Sequence, residues 1–265
     1  MPSLNQCANT NQHDKTSLKA QVISSTTDKQ TYTLGQHGAK GREQKRLTEK
    51  YETPISGKTH ESEHTIGFAV LNDTGDKRGA NKNLRKLENE APAYQERRAL
   101  HREHIGTGSR TKVDGSGFSA PTYRLAQRRS LEDGDVSSAT QLNQLGYAFL
   151  DGFQEKQDSP ARKAARDSYD VMVENMKEVK YTKGGQEETA LVDERQQAEM
   201  HLARRAAETG KWPTAEEIAA AKKKFGVVDN IKKPTSLKPT LGPPVNNKHA
   251  VTYSTLSSRA KRPRE

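Results

Sequence analysis

Cysteine is almost missing from this sequence: Cys7 is the one thiol in 265 residues. A single thiol excludes an intramolecular disulfide framework and any zinc site built on cysteine pairs, so a metal here must be held by histidine and carboxylate. Aromatic residues are scarce at 5%, and only 31% of side chains are hydrophobic, so the whole chain is too polar to be one fully packed unit. No apolar run approaches the ~20 residues of a membrane span, and no membrane partner is expected. Met1 to Gln6 lack both the basic start and the apolar core of a secretory signal. Export would need another device.

Positive charge is what the chain has in excess, +10 overall. Residues 1–54 carry 8 basic and 5 acidic side chains, 55–226 carry 28 and 27, and 227–265 carry 8 and 2. A nearly neutral middle between basic ends reads as a folded module, 55–226, flanked by disordered basic arms at 1–54 and 227–265. Such arms suit a polyanion such as nucleic acid, although basic tails also serve solubility alone. The first arm is Asn, Gln, Ser, Thr and Lys with isolated aliphatics, too little apolar surface to offset the entropy of ordering. The second is broken by Pro234, Pro239, Pro243 and Pro244 and ends in Arg259-Ala260-Lys261-Arg262-Pro263-Arg264.

Between the arms, Ile66, Phe68 and Val70 alternate in a β-branched and aromatic run from Thr65 to Leu71, which predicts a short strand. Gly67 within it suggests a bulge or a close approach of backbone. Leu84 and Leu87 predict a helix over 81–90, and Pro92 suits the first turn of another that presents His101 and His104 on one side. The loop from Gly106 to Gly117 is rich in Gly and Ser and carries Arg110 among exposed amides, a candidate phosphate cradle. Beyond it the periodicity and caps predict helices over 122–132, 136–149, 160–179, 193–209 and 215–225. The predicted fold is therefore mainly α with a small β-hairpin element at 58–72.

Four of the eight histidines fall in two short clusters, His60 and His64 in one, His101 and His104 in the other. His60-Glu61-Ser62-Glu63-His64 matches the H-E-x-x-H signature of zinc metallopeptidases, which requires a helix to put both histidines on one metal. The neighbours are Ser, Gly, Lys and Thr, with no apolar residues to dock a helix, and the Thr-Ile-Gly that follows disfavours one. In an extended chain the two rings lie about 13 Å apart. A second chemistry fits the residues better. Glu63, His101 and His104 supply a carboxylate and two imidazoles for a divalent ion (Mg2+, Mn2+ or Zn2+) with positions left open for phosphate and water. His64 would act as general base, and Arg98, Arg102 and Arg110 would hold phosphates. A non-enzymatic nucleic-acid-binding protein with structural histidines is the bland alternative.

Glu63-His64-Thr65-Ile66-Gly67-Phe68, and Ala91-Pro92-Ala93-Tyr94-Gln95-Glu96 running into His101-Arg102-Glu103-His104-Ile105-Gly106, resemble the HNH and endonuclease-VII-like (His-Me finger) nucleases of bacterial polymorphic toxins, in particular the Glu-His-His-His group. The resemblance covers about 55–115. It implies a ββα-metal core decorated by helices, with an inserted helix at 81–91, and cleavage of nucleic acid, DNA in preference to RNA. It further implies an antibacterial toxin delivered into a rival cell to act in that cell's cytoplasm, opposed by a cognate immunity protein. The N-terminal arm would then engage a secretion-system component.

Overall fold

The computed structural model describes residues 23–24, 31–104, 106, 120–147 and 158–232. Two short strands, β1 (Ile23–Ser24) and β2 (Thr31–Tyr32), pair antiparallel and lead through a single turn of 3-10 helix at His37–Ala39 into α1 (Lys40–Tyr51). There follow β3 (His60–His64), α2 (Phe68–Leu71), α3 (Lys82–Glu90), β4 (Ala93–Arg97), α4 (Arg98–Glu103), α5 (Ala120–Glu132), α6 (Val136–Tyr147), α7 (Pro160–Asn175), the hairpin β5 (Glu178–Lys183) and β6 (Gln186–Leu191), α8 (Glu194–Thr209) and α9 (Ala215–Phe225). The protein is mainly helical with small antiparallel strand pairs, as its sequence predicts.

The helix starts follow from capping chemistry. Asn81, Ser159, Asp193 and Thr214 each accept a hydrogen bond from a backbone N–H of the first turn, and Thr214 forms a reciprocal capping box with Glu217. Gly210 and Gly226 end α8 and α9 in left-handed conformation, where glycine carries no Cβ penalty. Ile66, Phe68, Val70, Leu71, Leu84 and Leu87 bury into one core with Tyr169, Met172 and Met176 of the α7 segment and Met200 of α8. The short β3–β4 pair lies over α7, where the Gln95 N–H donates to Ser168 Oγ at 2.8 Å.

Several expectations change. The strand lies at 60–64, ahead of the alternating run, and Phe68–Leu71 is helical: Ile66, Phe68, Val70 and Leu71 are all buried, so their alternation carries no facing information. Gly67 has negative φ and a Cβ there would meet nothing within 4 Å, so neither a bulge nor a close approach needs it. The residues after Pro92 form β4, because they pair with β3 from Ala93 to Arg97, and the helix bearing His101 is only six residues long. α7 stops at Asn175 because the hairpin begins at Glu178; its Gly184-Gly185 turn, with φ of 59° and 80°, is the two-residue signature of a primed turn.

Residue 54 is not a domain boundary. Leu47 of α1 packs with Ile55 and Ala164, and Glu43 is buried where the Ser168 hydroxyl donates to it. The supposed arm thus contributes a core helix from residue 40 onward. At the other end Val227 to Lys232 are described, and the Lys232 ammonium meets Asp135 at 2.7 Å. Residues 1–22, 25–30 and 233–265 lie outside the described residues, as does Arg110. No described helix is long and apolar enough to cross a membrane.

Candidate active site

β3 and β4 run antiparallel in unbroken register, His60 opposite Arg97 through Glu63 opposite Tyr94 to His64 opposite Ala93. α4 then begins without a linker, its first N–H, that of Arg98, donating to the Thr59 carbonyl at 3.0 Å. That closure carries His101 back across the sheet to Glu63. The order of elements is β3–β4–α4, with α2 and α3 inserted between the strands.

His101 Nδ1 and Glu63 Oε2 share a short hydrogen bond, while Asn143 Nδ2 donates to Glu63 Oε1 at 2.9 Å. Burial works to raise the Glu63 carboxyl, but the hydrogen bond from His101 and the nearby histidine rings outweigh it and hold the group below its ordinary value. Burial likewise works to lower His101, and the Glu63 bond with the charges of Glu63, Glu61 and Glu96 turns the balance upward. The other ring nitrogen, Nε2, lies 3.6 Å from Glu61. This is a carboxylate–imidazole pair with the acidic partner buried and the imidazole half-buried at the wall of a cavity.

The cavity holds about 320 Å³ and is lined by Glu63, His64, His101, Arg78, Arg124 and Asn143, with Ser62, Gly67, Gly106 and Gln127 completing it. Arg78 is exposed and lies 3.5 Å from Glu88. Arg124 donates to the Gly106 carbonyl at 3.4 Å. Glu63 and His64 both reach the cavity without the backbone irregularity their adjacency suggests, because His64 is the last residue of β3 and the chain turns away after it.

The remaining predicted site residues fall elsewhere. His104 caps the end of α4 with extended backbone. Its Nε2 donates to the Asn143 carbonyl at 2.7 Å, Gly106 N–H donates to its Nδ1 at 3.2 Å, and its ring packs on Tyr147 at 4.3 Å. That network assigns a neutral ring with the proton on Nε2 and both nitrogens engaged. His104 Nδ1 approaches Glu63 only to 3.9 Å. Arg98 and Arg102 both clasp Glu61, at 3.1 and 3.0 Å, so they neutralise a carboxylate beside His101 instead of lining the cavity.

His60 opens β3. It sits in a regular strand, its Nδ1 against Thr59 Oγ1 at 3.0 Å and its Nε2 3.4 Å from the Ala161 carbonyl, turned to the start of α7. No helix brings it to His64.

Sequence reasoning missed His37, Glu88, Arg78, Arg124 and Asn143. Asn143 had a readable signal: with Gln141 and Gln144 it makes a buried polar stretch on α6, and buried amides need partners. His37 and Glu88 have none, being single polar residues far apart in the chain.

A family model described as Agrobacterium VirD5 protein matches residues 5–262. No curated protein and no solved structure matches the chain.

Proposed function

The chain belongs to the Agrobacterium VirD5 family, a family of effectors secreted through type IV systems, and we propose, from the geometry of its cavity, that it hydrolyses phosphodiester bonds of nucleic acid in the cytoplasm of the cell that receives it. One observation carries this reading: the Glu63–His101 pair, its carboxylate buried, opens into a cavity whose other charged walls are the guanidinium groups of Arg78 and Arg124. A carboxylate that orients an imidazole is the arrangement of a general base, and paired guanidinium groups complement a phosphate anion. The order β3–β4–α4, with Glu63 on the first strand and His101 on the helix, is the arrangement a ββα nuclease requires and supports the same reading.

In this mechanism His101 keeps its proton on Nδ1, donated to Glu63, and Nε2 takes a proton from water as the oxygen attacks phosphorus. Glu63 and Glu61 stabilise the imidazolium. Arg78 and Arg124 meet the charge that develops on the phosphorane oxygens. When the P–O bond to the departing sugar oxygen breaks, the imidazolium returns its proton to that oxygen. His64 is the weaker base: it is buried, no carboxylate orients its ring, and burial with the charges of His37 and Arg78 holds it well below the ordinary histidine value.

Glu63, His101 and His104 do not fit as an open metal site. Both Glu63 oxygens are taken by His101 and Asn143, both His104 nitrogens are engaged, and among the described residues their ligand atoms are not a trio that converges within 4.8 Å.

Incubating the purified full-length protein with supercoiled plasmid and with total RNA, across divalent ions and with chelator, tests the function. Nicking or degradation that His101→Ala abolishes is the expected result. Equal inactivity of wild type and variant on both substrates, with every ion, sinks the proposal.

A further inference from the structure

We propose that His37, His64 and Glu88 form a binding site for one divalent transition-metal ion beside the Glu63–His101 pair. Their ligand atoms all lie within 4.8 Å of one another, and among the described residues this is the trio that does so. The three come from the turn before α1, the end of β3 and the inserted α3, so only the tertiary fold assembles them.

Each ligand is prepared for the task. Ser62 Oγ engages His37 Nδ1 at 2.9 Å, which orients the ring and leaves Nε2 as the ligand atom. The His37 ring stacks on His64 with centroids 4.4 Å apart and planes 26° from parallel, so one ring must turn out of the stack for both in-plane lone pairs to meet the ion. His64 is 6% exposed, and its Nε2 is buried without a hydrogen-bond partner; an orphaned buried polar atom is costly, and a cation would satisfy it. Neutral imidazoles offer the lone pairs that a metal needs. Glu88 supplies the negative charge. Its carboxylate is met by Arg78, whose side chain is 61% exposed and can swing away as an ion enters.

Two imidazoles and one carboxylate leave coordination positions open, and such a donor set favours Zn2+ or Co2+ over Mg2+, which prefers oxygen ligands and its own water. The site borders the cavity through His64 and Arg78. Its catalytic use rests on the nuclease reading; its existence does not.

Full-length protein stripped with chelator is titrated calorimetrically with Zn2+, and in parallel with Co2+ followed by visible absorption. One equivalent should bind. Glu88→Gln and His37→Gln should each weaken it by ~100-fold or more, beyond the loss of a supporting partner alone, while Glu63→Gln and His101→Ala bind as wild type does. The proposal is overturned if wild type binds no ion, if both ligand variants bind like wild type, or if Glu63→Gln abolishes binding instead. Glu88→Gln is isosteric at a half-buried position, so it decides the matter even if His37→Gln fails to fold by circular dichroism. Zinc bound without any cleavage leaves this site standing and removes the nuclease. Cleavage by a protein that binds no ion does the opposite.

Discussion

Glu43 is buried among α1, the Gly35 backbone and Ser168, and burial raises its carboxyl to about 7 in spite of the hydrogen bond from Ser168. A folded value above the unfolded one means that the folded state holds the proton more tightly. The stability this gives is therefore full below the unfolded value near 4.5 and is lost as pH rises through about 7. The shift corresponds to on the order of 3 kcal/mol. Urea denaturation at pH 5 and pH 8 should show wild type losing stability over that interval and Glu43→Gln losing much less; parallel losses would place the titration elsewhere. At the cavity, His101→Ala and Glu63→Gln should each reduce single-turnover cleavage by roughly 10²–10⁴-fold, the contribution of a positioned base. The Glu63→Gln loss should come with a rate–pH midpoint moved to lower pH, since Glu63 is what holds His101 above 6.5. An unmoved midpoint would show that another group is the base.

At the scale of elements, the turn before α1 depends on Gly35. Its φ is +90°, and a Cβ there would stand 2.5 Å from Met172 Cα on α7. Backbone bonds then tie the turn to the strand, Ala93 N–H donating to the Gly35 carbonyl at 2.8 Å and His37 N–H to the Ala91 carbonyl at 3.0 Å. Gly35→Ala should cost roughly 1–3 kcal/mol from the backbone conformation alone, with the clash in addition. It should also weaken zinc binding, because His37 rides on that turn; a variant that melts early yet binds zinc normally would uncouple the two. α7 begins at Ser159, whose side chain accepts from Arg162 N–H at 3.3 Å. Ser159→Ala should lower stability by ~1 kcal/mol, read as a shift in urea midpoint with unchanged slope, and no shift would mean that Pro160 alone suffices to start the helix.

At the scale of the whole molecule, a buried arginine ties the helices to the β3–β4 pair. Arg204 of α8 is fully buried and pairs with Glu96 of β4 at 3.0 Å and Glu208 at 2.8 Å. Its guanidinium faces the rings of Tyr94, Tyr147 and Tyr169 at 5.3, 6.0 and 5.6 Å. Tyr94 is the cross-strand partner of Glu63, so this cluster sets where the strand pair lies against the helices and thereby where the site opens. Arg204→Met would leave Glu96 charged and buried without its partner, a loss of about 3–5 kcal/mol. Adding Glu96→Gln should restore part of it. A double variant no more stable than Arg204→Met would show that packing of the guanidinium on the tyrosines, and not the charge pair, accounts for the loss.

Local chemistry by itself determined much of the helical frame. Asn81, Ser159-Pro160, Asp193, Thr214 with Glu217, and Gly210 and Gly226 mark helix ends by hydrogen bonds that reach only three or four residues, and the starts of α3 and α7 and both ends of α8 and α9 stand where those marks fall. The two histidine clusters marked the region of the cavity, but by sequence Glu63 and His101 read as co-ligands of a metal with His104; their direct hydrogen bond is a product of the tertiary fold. What lay beyond the sequence was every decision made by contact between distant segments. Ala93–Arg97 became a strand only because β3 offers its edge, and residues 40–51 became core only because α7 covers Leu47. His104 became a structural ring because Asn143 and Gly106 claim its two nitrogens. His37 and Glu88 met His64 because the turn before α1 and the inserted α3 both close on the end of β3, a convergence that no spacing in the sequence records.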